Sequence, residues 1–243
     1  ALDGTLHAGG TSLLDAGAGT LGIADSAYIA GDAQISGRSI ELAGIQSQAA
    51  LQLHVGDGGY RNLGDSLVGG DYLARSGGTH SIAGTLVVVG NSDIEAAGDI
   101  LLGGRLEAGG DYRASSGGQL NHAGDSLILG NAQLSSVGAQ HLAGSIGSAG
   151  NLTLDAGNGL RIDASVHSNG AVNLAGGNGG ISIGGDLASV SDVMLNADGN
   201  LEILGNARFR QGDLNSRQGS ILLQGDTAAN SLRLSAAQSI DLT

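Results

Sequence analysis

Apolar residues recur along this chain as apolar-x-apolar triplets, each followed by a small or acidic residue and a glycine-containing break. Leu152-Thr153-Leu154, Ala156-Gly157-Asn158-Gly159 and Leu160-Arg161-Ile162 form one such unit. Leu232-Arg233-Leu234, Ser235-Ala236-Ala237 and Ile240-Asp241-Leu242 form the last. Alternation over three to five residues is the periodicity of a short strand with one buried face, and Gly, Asn and Asp at the breaks tolerate positive φ or cap turns. Counting each unit from the residue before its first triplet gives starts near 12, 32, 50, 71, 91, 111, 131, 151, 171, 192, 213 and 231. The eleven steps run from 18 to 21 residues and average about 20, and a fixed period of that size marks a repeat architecture. A longer echo lies over it: residues 69–108 laid on 109–148 give 15 identities in 40, beginning with Gly69-Gly70-Asp71-Tyr72 against Gly109-Gly110-Asp111-Tyr112.

Asp57-Gly58, Asn158-Gly159, Asn169-Gly170, Asn178-Gly179 and Asp198-Gly199 would alone suggest antiparallel hairpins. Strands this short make a poor hairpin stack, whereas a constant register is what successive turns of one coil require. The pattern therefore predicts an all-β fold, a parallel β-helix of about 20 residues per coil with three short faces. With strands about 4.8 Å apart, twelve coils would make a rod roughly 55–60 Å long. One coil cannot bury its apolar face alone, so stability must come from stacking on its neighbours. Leu154 and Leu174 are expected inward at equivalent positions of adjacent coils, and Asp155 at a turn.

Composition fits a thin tube. Gly numbers 46, Pro, Cys and Trp are absent, and aromatic residues are 2%, so the interior must be narrow and lined by Leu, Ile, Val and Ala. A hydrophobic content of 41% at regular intervals is too high for a disordered glycine-rich linker. The net charge of −13 arises from 23 acids against 10 bases, all arginines. Few cations and few aromatic rings argue against nucleic acid, and the acidic balance argues against anionic membranes. No apolar run approaches the roughly 20 residues of a membrane span and no signal peptide opens the chain, so the expectation is a soluble chain without membrane insertion. Disulfides and thiolate metal sites are excluded by the lack of cysteine. Ala1-Leu2-Asp3-Gly4 enters the pattern part-way and Ile240-Asp241-Leu242-Thr243 stops within it. Residues 1–243 thus read as a single β-helical segment cut from a longer fibrous protein, since solenoids need caps.

Phrases such as Ala149-Gly150-Asn151-Leu152-Thr153-Leu154-Asp155-Ala156-Gly157, together with the stretch from Ser231 to Thr243, resemble the repeats of filamentous haemagglutinins. Those are two-partner-secretion exoproteins, a group that also includes contact-dependent growth inhibition proteins. The resemblance covers nearly the whole chain and implies a right-handed parallel β-helix, giving about 12 coils of that hand. It also implies export through a dedicated outer-membrane transporter, a secreted or bacterial cell-surface location, and service as a shaft in adhesion or toxin delivery. A host or bacterial surface receptor is the partner such a role implies, and the shaft itself is expected to be monomeric.

Candidate chemistry is sparse. Asp32, Asp71, Asn91, Asp111, Asn131, Asn151, Asp192 and Asp213 fall near one point of their coils and could form a Ca²⁺-binding column. The plainer expectation is that each caps its own turn. The segment Gly176 to Asp186 has a faint likeness to Ca²⁺-binding nonapeptide repeats, but its spacing and the 20-residue period differ. His7, His54, His80, His122, His141 and His167 show no metal-ligand spacing and are expected to face solvent. Tyr72 and Tyr112, equivalent and two coils apart, are expected to pack at the rim. If exposed, Tyr28, Tyr60, Tyr72, Tyr112 and Phe209 would offer glycan platforms, the alternative reading of a surface module that itself binds a ligand. Leu86-Val87-Val88-Val89 and its echo Leu127-Ile128-Leu129 are either an adhesive stripe or a strand with a covered outer side. A β-helical polysaccharide-degrading enzyme is the remote alternative, needing clustered carboxylates in an aromatic-lined groove. The acids here are spread one or two per coil, so the chain is read as no enzyme, with no catalytic, cofactor-binding or metal-ligating residue and no cofactor.

Overall fold

The computed structural model describes residues 4–243. Among them are 30 β-strands, paired in parallel, and no helix. They build a parallel β-solenoid of about 12 turns spaced roughly 20 residues apart. The chain divides into two compact units, one ending at Gly118 and the other starting at Gln119.

Coil 72–91 shows the plan of the first unit. A long face, Tyr72–Ser76, is followed by two short faces, His80–Ile82 and Leu86–Val88, with three-residue corners between them. Burial alternates strictly, so Tyr72, Ala74, Ser76, His80, Ile82, Leu86 and Val88 point inward. Each meets the residue twenty positions away: Ile94 pairs with Ala74 on one side and Ala114 on the other. The second unit repeats the plan with Leu152–Ala156, Leu160–Ile162 and Val166–Ser168. Leu154 there lies between Leu134 and Leu174, all three buried, as the alternation requires. Asp155 is not at a turn. It is an exposed outward residue of the five-residue strand, beside Ser135 and Ala175, because the long face extends one pair beyond the apolar triplet.

Two coil starts move. Ser12 pairs with Ala33 and Gly212 pairs with Val193, so the starts read near 12 and 213 belong at 11 and 211. The apolar pattern misleads at the second because the inward slot holds Gly212, whose missing side chain is replaced by the Phe209 ring. A Cβ at Gly212 would lie 2.4 Å from that ring's Cε2. Inward serines at strand ends complete the lining by donating to corner carbonyls, as Ser168 Oγ does to Gly150 O and Ser189 Oγ to Gly170 O, both at 2.8 Å.

Corner glycines serve the approach of one coil to the next more than unusual backbone angles. Among the described residues positive φ occurs only at six glycines and at no Asn or Asp, so of the two roles open to Asn and Asp at the breaks they take capping. Gly177 has ordinary φ, yet a Cβ there would stand 2.0 Å from Gly157 O of the preceding coil. Gly147, on an outward strand position, would meet nothing closer than 3.7 Å. Gly177→Ala is therefore expected to cost about 1–3 kcal/mol through forced separation of backbones. Gly147→Ala should be neutral or stabilise by up to about 1 kcal/mol, since it only removes chain entropy. Urea midpoints of the two variants check this, and equal midpoints would refute the close-approach account.

Candidate functional site

The corners carry the first candidate chemistry. Asp71 Oδ1 accepts the backbone N–H of Asn91 at 2.7 Å, and Asn91 Oδ1 accepts that of Asp111 at 2.9 Å. In the second unit Asn131 Oδ1 accepts Asn151 N–H, and Asn151 Oδ1 accepts Ala171 N–H, each at 2.9 Å. These side chains cap the next coil's corner, not their own. At a corner the backbone leaves the sheet ladder, and the amide of the stacked coil needs an acceptor there. Asp213 is not in the column: it sits in a strand opposite Met194, while Gln211 takes the column position beside Asp192. A second corner uses the same device, unnoticed in the sequence because Asp, Thr, Ser and Asn alternate there. Asp65 Oδ1 accepts Thr85 N–H, Asp125 Oδ1 accepts Ser145 N–H and Asp186 Oδ1 accepts Asn206 N–H, each at 2.8 Å.

The core holds the second candidate. His7, His54 and His167 are exposed and His141 is half-buried, but His80 and His122 are fully buried, against the expectation that all six face solvent. His80 stacks on Tyr60 at 4.7 Å between ring centroids, and its Nε2 lies 3.2 Å from the Tyr72 hydroxyl. His122 Nδ1 lies 2.9 Å from Ser126 Oγ. Tyr60, Tyr72, Tyr112 and Phe209 are buried as well, so Tyr72 and Tyr112 do not pack at the rim, and of the five platform candidates Tyr28 alone is half-buried, its ring 5.8 Å from that of exposed His7. Tyr72 and Tyr112 do share a column, two coils apart, with small Ser92 between them leaving room for both rings. Asn62 Nδ2 donates to Ser66 Oγ at 2.7 Å. Burial pulls the His80 imidazole down to about 3 and pushes the Tyr60, Tyr72 and Tyr112 hydroxyls up, so all four stay neutral. Tyr60 Oη, Asn62 Oδ1, His80 Nδ1, Ser92 Oγ and Tyr112 Oη find no hydrogen-bond partner among the described residues. The cluster is sealed from solvent and offers no route to a substrate.

Outer faces carry the rest. Leu86 and Val88 are buried, Val87 is half-buried and Val89 exposed. Glu107 follows Val87 on the same column, so the run is a strand of the core and makes no continuous stripe. Ile128 is likewise buried, between exposed Leu127 and Leu129. Carboxylates are tied to arginines of adjoining coils: Arg75 meets Asp93 at 3.0 Å and Glu95 at 2.9 Å, and Arg210 grips both oxygens of Asp192. Contacts from His141 and Arg161 hold the Asp163 carboxyl below its usual range, and the Gly17 amide and Ser36 do the same for Asp15. A general acid would need the opposite, a carboxyl held protonated by burial.

Clefts interrupt the surface, three of them lined by described residues of one unit each. One in the second unit, of about 310 Å³, lies along Asn173, Met194 and Asp213 beside Asp192, whose carboxylate Arg210 already occupies. The other two, of about 450 and 270 Å³, adjoin on the second face of the first unit and share Thr20 and Glu41. Their geometry follows from register. Thr20, Ser39 and Gly59 stack in one outward column, with Thr79 next to Gly59, and Gly22, Glu41, Arg61 and Ser81 stack in the neighbouring one. Gly22 and Gly59 add no side chain to those columns, and at Gly59 the Thr79 backbone closes in, 2.6 Å from where a Cβ would stand; the clefts open beside Glu41 and Arg61. Register shifts between Ile23 and Ser26 and between Gly37 and Ser39 occur at the corners of the same coils. This is the candidate site, and no aromatic or apolar signal in the sequence marks it. No protein-family model matches the chain, and neither a curated protein nor a solved structure does.

Proposed function

We propose that the chain is a structural shaft segment of a secreted, cell-surface fibrous exoprotein, used for adhesion or for holding a receptor-binding or toxin domain away from the cell. The observation that carries this reading is the repeated capping of a coil's corner by a side chain of the coil before it. A coil built that way presents its successor with a ready row of acceptors, so the solenoid lengthens without any change of cross-section. Folding of that kind suits a chain that crosses the outer membrane unfolded, and the lack of cysteine removes a disulfide step from export. The likeness to filamentous haemagglutinin repeats supplies the transporter, the location and the shaft role. Carboxylates spread along the coils, several of them paired with arginine, and short loops favour a scaffold over an enzyme. The shaft is proposed to work as a monomer, without cofactor, nucleic acid or insertion into the membrane.

The test is export. Fused behind the secretion domain of a two-partner-secretion exoprotein and co-expressed with its transporter, the chain should reach the cell surface and resist protease there. Retention in the periplasm, or degradation at the surface, would overturn the reading.

A further inference from the structure

We propose that the paired clefts on the second face of the first unit bind a short neutral oligosaccharide. The proposal does not depend on export or on a shaft role. Thr20 Oγ1 and Ser39 Oγ lie 2.8 Å apart at one edge, and Thr79, beside Gly59, also lines the smaller cleft. Gly59 has φ of +77°, and a Cβ there would stand 2.6 Å from Thr79 O, so no larger residue can take its place beside the smaller cleft. Hydroxyls both donate and accept, which matches the dual character of sugar hydroxyls. Between the hydroxyls lies the Arg61–Glu41 pair, joined at 3.3 Å with both side chains more than half exposed. A carboxylate that accepts from two hydroxyls, beside a guanidinium that donates to two oxygens, fits a vicinal diol. Exposed Leu63, with Ala24 and Ala43, borders the larger cleft and offers apolar surface to a C–H face of the sugar ring.

Neutrality follows from charge. The pair cancels itself within the site, and a chain of net charge −13 repels sulfated or uronic sugars. Four coils at about 4.8 Å spacing span about 14 Å, the reach of two or three linked rings. The larger cleft lies within the usual size of small-ligand sites, roughly 300–1,000 Å³. The strands that carry Glu41 and Arg61 are already paired on both sides, Ile40–Leu42 with Leu21–Ile23 and Tyr60–Asn62 and the latter with His80–Ile82, so a peptide cannot add to them as a further strand.

The experiment titrates the full chain with maltotriose, cellotriose and triacetylchitotriose to millimolar concentration, reading amide shifts and saturation transfer by NMR. At least one sugar should bind, with shifts centred on Thr20, Ser39, Arg61 and Thr79. Arg61→Ala should weaken it about tenfold, the loss of a charge-assisted hydrogen bond. Arg113→Ala, an exposed arginine of the long face, should leave binding unchanged. Should Arg61→Ala melt early, Arg61→Lys and Thr79→Val carry the test, each being expected to weaken binding in a folded chain. Failure of all three sugars to bind, shifts elsewhere, or wild-type affinity in the Arg61 variants would overturn the proposal. Tighter binding of a heparin oligosaccharide than of any neutral sugar would overturn it too.

Discussion

Leu154→Asp should destabilise the second unit by on the order of 5 kcal/mol, combining lost apolar volume with a buried polar group that has no partner. Leu154 is 0% exposed and lies between Leu134 and Leu174, so no polar neighbour on either side can take the new carboxyl. A loss of that size is comparable with the whole stability of many domains. Damage should spread to both adjoining coils, because coil stability is held at the interfaces. Asp155→Ala, one position on, should cost no more than about 1 kcal/mol. Its side chain is exposed, and the contact it makes inward is through its backbone carbonyl, which accepts Gln140 Nε2 at 2.7 Å and which alanine retains. Limited proteolysis and urea melts of the two variants decide. Equal protection, or greater damage from Asp155→Ala, would show the inward and outward assignment to be wrong.

The assignment at Leu154 was open to the sequence because period and parity act together: a 20-residue repeat fixes which residues stack, and alternation fixes which point in. Parity alone would also have placed the buried polar residues. His80 is two before buried Ile82, His122 two after buried Leu120, and Asn62 two after Tyr60, so each shares the inward side. The expectation that the histidines face solvent weighs residue type above position. What alternation could not supply was the partner: Tyr60 under His80 and Ser126 beside His122 depend on how neighbouring coils are filled. Corner capping was half legible. Asp and Asn at the breaks suggested caps, but capping of the next coil needs the stacking distance, which sequence spacing alone does not provide. The clefts were not legible, since the register shifts between Ile23 and Ser26 and between Gly37 and Ser39, at the corners of the same coils, leave no mark in the apolar pattern.

His80 gives the second large effect, a loss of stability between about pH 7 and pH 5. In the unfolded chain its imidazole takes up a proton near the ordinary value of 6.5, whereas burial holds the folded value down to about 3. Its contribution is therefore complete above pH 6.5 and is lost progressively as pH falls toward 3, the unfolded state binding more protons throughout that window. By about pH 5 the loss should reach about 2 kcal/mol, and this figure does not depend on the folded value as long as that value lies well below 5. Asp15 and Asp163, whose carboxyls are held below the usual 3.8, act in a lower window and stay ionised in both states here. Tyr60 and Tyr72, the rings against His80, are neutral at both pH values and cannot hold the proton in place. His80→Gln removes the titration, and glutamine is accommodated at the same position of a coil in the second unit, where Gln140 is buried between Leu120 and Leu160. Urea unfolding of both chains at the two pH values measures the difference directly: the native chain should lose about 2 kcal/mol more than the variant. An equal drop in both would mean that His80 takes up its proton in the folded chain, and that the Tyr60–His80–Tyr72 stack is open to water.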